Sequence, residues 1–142
     1  MEPAFWDSSS LVPLCIQQPS TQLVQALVQK HEIVVWWAAP VEIRSAFARL
    51  LRMGLFTSME IVQAQVALDD LCFNWREIPP SEDLRDQAER LVDRFPLKAA
   101  DALQLAAAMA WCLGCTKSRA FISGDKQLLD AARHLGFQAF QA

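Results

Sequence analysis

No stretch of this chain approaches the ~20 consecutive apolar residues that a bilayer-spanning helix requires. The longest uncharged apolar runs, Ile33 to Val41 and Leu105 to Cys115, stop well short. Glycine is scarce at four residues, and neither a Gly/Ser linker nor an internal repeat divides the 142 residues. A single domain spanning residues 1–142 is therefore expected. The opening Met1-Glu2-Pro3 carries no basic stretch, so a signal peptide is not expected and the expected compartment is the cytoplasm. Excess positive charge is missing too: 13 Lys and Arg against 16 Asp and Glu leave a net charge of −3. Any nucleic acid must then be held by a local basic patch, not by the surface as a whole. Charged residues make up 20% and hydrophobic residues 53%, which excludes disorder and low-complexity classes. The mean hydropathy of +0.14 is high for a soluble monomer and points to an apolar face covered by a partner.

Histidine and cysteine are few. The segment Trp111-Cys112-Leu113-Gly114-Cys115 has the spacing of a redox pair, but that chemistry wants the attacking thiol at a helix N-terminus, where the dipole stabilises thiolate. Here the pair ends a long apolar helix. A zinc site needs a second metal-spaced pair, which is absent. Cys15, Cys72, Cys112 and Cys115 are expected to be buried thiols. The two histidines, His31 at a helix end and His134 in the last turn of another, read as dipole partners.

What is present is an alternation of short buried strands and helices. The run Ala4-Phe5-Trp6 ends at Asp7, and Ser10 is expected to cap a helix from Leu11 to Gln17. A second helix, Thr21 to Lys30, carries Leu23, Ala26 and Leu27 on one face. Ile33 to Trp37 is a strand by its β-branched and aromatic content. Pro40 opens a helix to Met53, closed by Gly54. Thr57-Ser58-Met59-Glu60 is a capping box that starts a helix towards Cys72. Arg76 to Ile78 is a strand, and Ser81 caps a helix to about Phe95. Leu97 to Leu113 is the most apolar helix, Ala120 to Ile122 a strand, Lys126 to Leu135 a helix, and Gln138 to Phe140 an edge strand. Such an alternation predicts an α/β fold: a parallel sheet with both faces covered.

Four of the 16 acids occupy unusual places. Asp7 ends the first strand, Glu42 lies in the first turn after the second, and Asp125 follows the fourth. Ligands of open parallel sheets bind outside the carboxyl ends of the strands, so these three are expected to converge there. Asp101 starts a helix whose other polar side chain before Cys115 is Gln104, and a carboxylate in so apolar a segment is costly unless paired or bound to metal. Each acid has a plainer reading. Asp7 and Asp125 serve equally as a turn residue and an N-cap, and Glu42 and Asp101 as dipole partners. Joint placement favours a site, because several carboxylates together repel and a hard divalent cation resolves the repulsion.

Four segments carry a resemblance: Phe5-Trp6-Asp7-Ser8-Ser9, Pro40-Val41-Glu42-Ile43-Arg44-Ser45-Ala46, Lys98-Ala99-Ala100-Asp101-Ala102-Leu103-Gln104-Leu105-Ala106 and Phe121-Ile122-Ser123-Gly124-Asp125-Lys126-Gln127-Leu128. In this order and spacing the chain, from about Ala4 to Phe140, resembles the PIN-domain family and within it the VapC-type ribonuclease toxins of bacterial toxin–antitoxin pairs. Trp6 departs from the pattern in being bulkier than the usual aliphatic residue. The resemblance implies a three-layer α/β/α domain and an endoribonuclease dependent on Mg²⁺ or Mn²⁺. Asp7, Glu42, Asp101 and Asp125 become its metal-binding acids, with Ser8 and Ser123 orienting carboxylates and bound water. It also implies neutralisation by a cognate antitoxin, whose amphipathic segment would lie in an apolar groove and deliver a cation to the acids. Trp36 or Trp37, and Phe47, are candidates for the groove wall.

Arg49, seven residues after Glu42, and Lys98, three before Asp101, share faces with those acids and are expected to contact RNA phosphates. The apolar helix from Thr57, with Phe56, Met59, Val62 and Phe73, predicts a homodimer. Two other readings stay open. One is a PIN-like module that binds RNA or protein without cutting. The other is a phosphotransferase with Asp7 as nucleophile, which wants a second aspartate at position 9, where the chain has Ser.

Overall fold

A computed structural model describes residues 1–142. The strands are β1 (Glu2–Trp6), β2 (His31–Trp36), β3 (Arg76–Ile78), β4 (Ala120–Ser123) and β5 (Gln138–Gln141). The helices are α1 (Val12–Cys15), α2 (Thr21–Val28), α3 (Ala39–Arg52), α4 (Ser58–Asn74), α5 (Glu82–Arg94), α6 (Ala99–Trp111) and α7 (Lys126–His134), with a 3-10 turn at Ser8–Leu11. All strand pairs are parallel, in the order β3-β2-β1-β4-β5. The chain leaves β1 towards one edge and returns, after β3, to the other side of β1. The β1–β4 boundary is therefore the point where strand order reverses, the place where open α/β sheets bind ligands.

Strand alternation sends side chains to opposite faces, and both faces are apolar. Ala4, Trp6, Val35, Ala120 and Ile122 join one core with α1 to α4. Phe5, Val34, Trp36 and Phe121 join the other with α5 to α7, where Phe5 and Phe121 stack at 5.6 Å between ring centroids. The result is a three-layer α/β/α domain. Trp6 is fully buried, and its indole N–H finds no partner there. No helix is long and apolar enough to cross a membrane.

Helix boundaries follow local chemistry. Thr57 and Glu60 form the reciprocal capping box, with Glu60 N–H donating to Thr57 Oγ1 at 3.2 Å and Thr57 N–H to Glu60 Oε1 at 3.0 Å. Ser81 Oγ accepts from Leu84 N–H at 3.1 Å to start α5. Past α3 the chain turns at Gly54, φ +73°, a conformation that glycine adopts without steric cost.

Several expectations are corrected. Ser10 does not cap a helix: its hydroxyl donates to the Asp7 carbonyl, and the segment becomes a 3-10 turn followed by the single turn α1. Helix α2 is rotated from the expected phase, burying Thr21 and Val24 while Leu23 is exposed. Thr21 Oγ1 donates to the Pro13 carbonyl at 2.8 Å, and that bond to the preceding segment fixes the rotation. His31 begins β2 and does not end a helix. Cys112 is buried, but Cys15 and Cys72 are only half-buried and Cys115 is exposed, because the chain leaves α6 through Leu113 and Gly114 at positive φ and turns into solvent. Phe47 cannot wall a groove. It is 1% exposed, packed between α3 and the sheet.

Phe47→Ala is accordingly expected to cost about 3–5 kcal/mol of unfolding free energy, the usual cost of truncating a buried phenylalanine. Urea unfolding with a loss under about 1 kcal/mol would contradict this placement.

Candidate functional site

All four acids of the sequence reading lie at the carboxyl edge. Asp7 directly follows β1, and its backbone N–H still donates to the Ile122 carbonyl at 2.9 Å, so it is held at the β1–β4 boundary itself. Its carboxylate is buried, 5% exposed. Oδ2 accepts from Ser9 Oγ at 2.8 Å and from Ser123 Oγ at 2.9 Å. Ser123, the last residue of β4, also accepts from the Asp125 N–H at 3.0 Å, linking the acids of two neighbouring strands through one hydroxyl. Asp125 does cap α7: Oδ1 accepts from Leu128 N–H at 3.1 Å. The plainer reading of this residue is thus realised, through one oxygen of its carboxylate.

Glu42 sits in the first turn of α3 and Asp101 in the first turn of α6. Glu42 Oε1 accepts from Ser8 Oγ at 3.2 Å and from Gln104 Nε2 at 2.8 Å. Ser8 and Ser123 therefore each hold a different acid. Hydrogen bonds engage Oδ2 of Asp7, Oε1 of Glu42 and Oδ1 of Asp125, so one oxygen of each is tied to the protein. Asp101 is steadied by charge alone.

Neighbouring acids act on three of the four: Asp125 on Asp7, Asp7 and Asp101 on Glu42, and Asp7 and Asp125 on Asp101. Burial is the largest cause of upward shifts at Asp7, Glu42 and Asp101, followed at each by neighbouring acids. Asp7 rises by desolvation against the pull of the Ser9 and Ser123 hydrogen bonds, with Asp125 adding to the rise. Glu42 rises to about 7, with Asp7 and Asp101 repelling it. Asp101 rises to about 6, repelled by Asp7 and Asp125, while Lys98 partly offsets the effect. Lys98, exposed at the cap of α6, thus acts on the site; Arg49 is exposed in the last turn of α3, two turns below Glu42.

The donor set is all carboxylate oxygen, which suits a hard divalent cation, and its mutual repulsion is what such a cation relieves. As the side chains stand, however, no three acidic, histidine or cysteine groups are arranged to hold a metal ion. Sequence reasoning missed two residues here: Ser9, which donates to Asp7, and Gln104. Gln104, fully buried on α6, bonds both Ser8 and Glu42. Its signal was available, as a lone amide in an otherwise apolar helix.

Raised carboxyl affinities make the folded chain bind more protons than the unfolded one between pH 3.8 and about 7. Stability therefore falls as pH rises through that window. In chelator, the melting temperature is expected to drop across it, and Glu42→Gln and Asp101→Asn are each expected to flatten the drop. A wild-type profile that is flat, or unaltered by both substitutions, would refute the coupling.

No family model matches the chain, and no curated protein matches its sequence. Solved structures do match its fold. The VapBC2 complex of Rickettsia felis bound to a DNA fragment from its promoter contains a chain similar at TM-score 0.65, with 12% identity over 97% of both chains. FitAB bound to the IR36 DNA fragment matches at TM-score 0.69, with 16% identity over 97% of this chain and 94% of that one. A toxin–antitoxin complex from Klebsiella pneumoniae matches at TM-score 0.59, with 20% identity over 87% and 88%. The three-layer PIN-like α/β/α architecture is thus shared, nearly end to end, with chains of VapBC and FitAB complexes.

Proposed function

We propose that this chain is a metal-dependent endoribonuclease and the toxin of a toxin–antitoxin pair. The observation that carries this reading is the gathering of Asp7, Glu42, Asp101 and Asp125, from four separate segments, into one field at the β1–β4 boundary. Helix N-termini of a parallel α/β sheet all rise from this edge and draw acids to it. What capping alone does not require is that Asp7, Glu42 and Asp101 stand close enough to neighbouring acids to be repelled by them. The shared fold with chains of toxin–antitoxin complexes supports the same reading.

The four acids would hold Mg²⁺ or Mn²⁺. Such a cation, when bound, activates water for attack on a phosphodiester and neutralises charge growing on the phosphate. The chain's own residues do the rest. Ser123 and Ser9 fix Asp7 by one oxygen, and Ser8 does the same for Glu42. Lys98, whose charge already reaches Asp101, draws a phosphate to the edge. Arg49, farther along α3, is proposed as a second RNA contact. Cleavage is expected in Mg²⁺ or Mn²⁺ and not in excess EDTA, and Asp101→Asn is expected to abolish it without unfolding the domain. Equal cleavage in EDTA would overturn the reading. The second reading, a module that binds RNA or protein without cutting, is favoured by the lack of any three side chains arranged to hold a metal. Metal-independent RNA binding without cleavage would select it.

The expected partners follow from two surfaces. Where β2 ends, a cavity of about 380 Å³ is lined by Trp36, Pro80, Ser81, Glu82, Leu84, Arg85 and Leu103, while Trp37 stands exposed with its ring 6.2 Å from that of Trp36. This is proposed to take an aliphatic anchor of the cognate antitoxin, whose cationic side chain would reach the carboxylates. Expressed alone, the chain is expected to arrest bacterial growth; Asp7→Asn, or co-expression with the neighbouring gene, is expected to restore it. Equal harmlessness of wild type and Asp7→Asn at matched levels would count against a toxin.

The second surface is on α4. Met59, Val62, Val66 and Phe73 are exposed there, with Met53 and Leu55 on the preceding turn. A homodimer burying this face is proposed. Sedimentation at tens of micromolar is expected to report twice the 15.9 kDa chain mass; a monomer would refute it.

A further inference from the structure

Gln104 is the polar side chain that the chemistry above leaves unused. It is fully buried in α6 among Ala102, Leu105, Ala106, Ala107 and Ala108, where an aliphatic residue would fill the space without desolvating an amide. Its Nε2 donates to Glu42 Oε1 at 2.8 Å and to Ser8 Oγ. Ser8 in turn donates to the same Glu42 oxygen at 3.2 Å. The three groups close a triangle in which every hydrogen points, directly or through Ser8, at one carboxylate oxygen. Both N–H bonds of the amide are spent on it, while Gln104 Oε1 is buried with no partner. The amide thus bears an unsatisfied acceptor for the sake of its donors.

Position explains why α6 supplies this group. Gln104 lies three residues after Asp101, one turn along the same helix face. Ser8 follows Asp7 at the start of the 3-10 turn, and Glu42 lies in the first turn of α3. One buried amide therefore connects the three segments that carry Asp7, Glu42 and Asp101. A triangle made entirely of donors aimed at Glu42 uses that carboxylate oxygen as an acceptor alone. It also ties down Oε1 alone.

We propose that Gln104 is a positioning residue: its amide locks Glu42, directly and through Ser8, in the orientation from which the second carboxylate oxygen serves the cation site. This rests on the metal-site reading above for its purpose, and on the hydrogen-bond triangle alone for the lock itself. The two parts are tested separately.

For the lock, ¹⁵N NMR of the metal-free protein is expected to show Gln104 side-chain amide protons that exchange with water at least tenfold more slowly than those of exposed glutamines. Glu42→Ala is expected to speed that exchange. Amide protons that exchange like those of an exposed glutamine, or are indifferent to Glu42→Ala, would overturn the inference whatever the protein does with metal. For the purpose, Gln104→Met keeps the side-chain length and removes both donors. Its melting temperature is expected to stay near wild type while its affinity for Mn²⁺ alone, measured by calorimetry, falls about tenfold, as loss of a ligand's hydrogen-bond partner commonly does. RNA cleavage by the variant is expected to recover at saturating Mn²⁺, which a general loss of structure would not allow. Unchanged Mn²⁺ affinity in folded Gln104→Met would overturn the positioning role. Absence of Mn²⁺ binding by the wild type would instead overturn the metal-site reading, with the exchange data still deciding the lock.

Discussion

The carboxyl edge depends on keeping four acids within one another's fields while one is buried and two more are partly withdrawn from water. Desolvation and like-charge repulsion act in the same direction, raising proton affinity and straining the folded state. What opposes them is a set of neutral donors: Ser9 and Ser123 on Asp7, Ser8 and Gln104 on Glu42, and the α7 backbone on Asp125. Each stabilises its carboxylate without cancelling its charge, so the site retains the negative field that a cation or a cationic side chain would answer.

The scaffold explains how such a strained edge is held. β1 is the middle strand of five, paired on both sides, and its last three residues are fully buried. Asp7 thus projects from the most constrained backbone in the molecule. Trp6 shows how tight that packing is. Its wide indole is absorbed wholly by the core shared with α1 to α4, at the expense of an unpaired N–H. The three remaining acids come from first turns or caps of helices that rise from the same edge, where helix N-terminal dipoles favour negative charge.

Much of this was legible residue by residue. Strand β3 begins and ends where its composition placed it, at Arg76 and Ile78, because Trp75 and Pro79 bracket it. The Thr57 box, the Ser81 cap and Gly54 mark helix ends through bonds or dihedral angles that reach only a few residues away. Where the reading failed, a bond outside the expected helix had intervened. Ser10 turned to the Asp7 carbonyl instead of a helix, and Thr21 turned to Pro13 and set the phase of α2. Phe47 was a candidate for the groove wall, yet it lies on the inward stripe of α3 with Ala39 and Ile43.

The sequence by itself determined the α/β class, the element order and the positions of the four acids, because periodicity, caps and strand ends are local properties of the chain. Only the tertiary structure decided the strand order that puts β4 beside β1, and with it which acids share a field. It alone decided that Ser8 serves Glu42 while Ser123 serves Asp7, and that Gln104, 62 residues from Glu42 along the chain, reaches it across the core. Hydrogen bonds between segments so far apart leave no periodic trace in the sequence, since they depend on how helices α3 and α6 settle on opposite faces of one sheet.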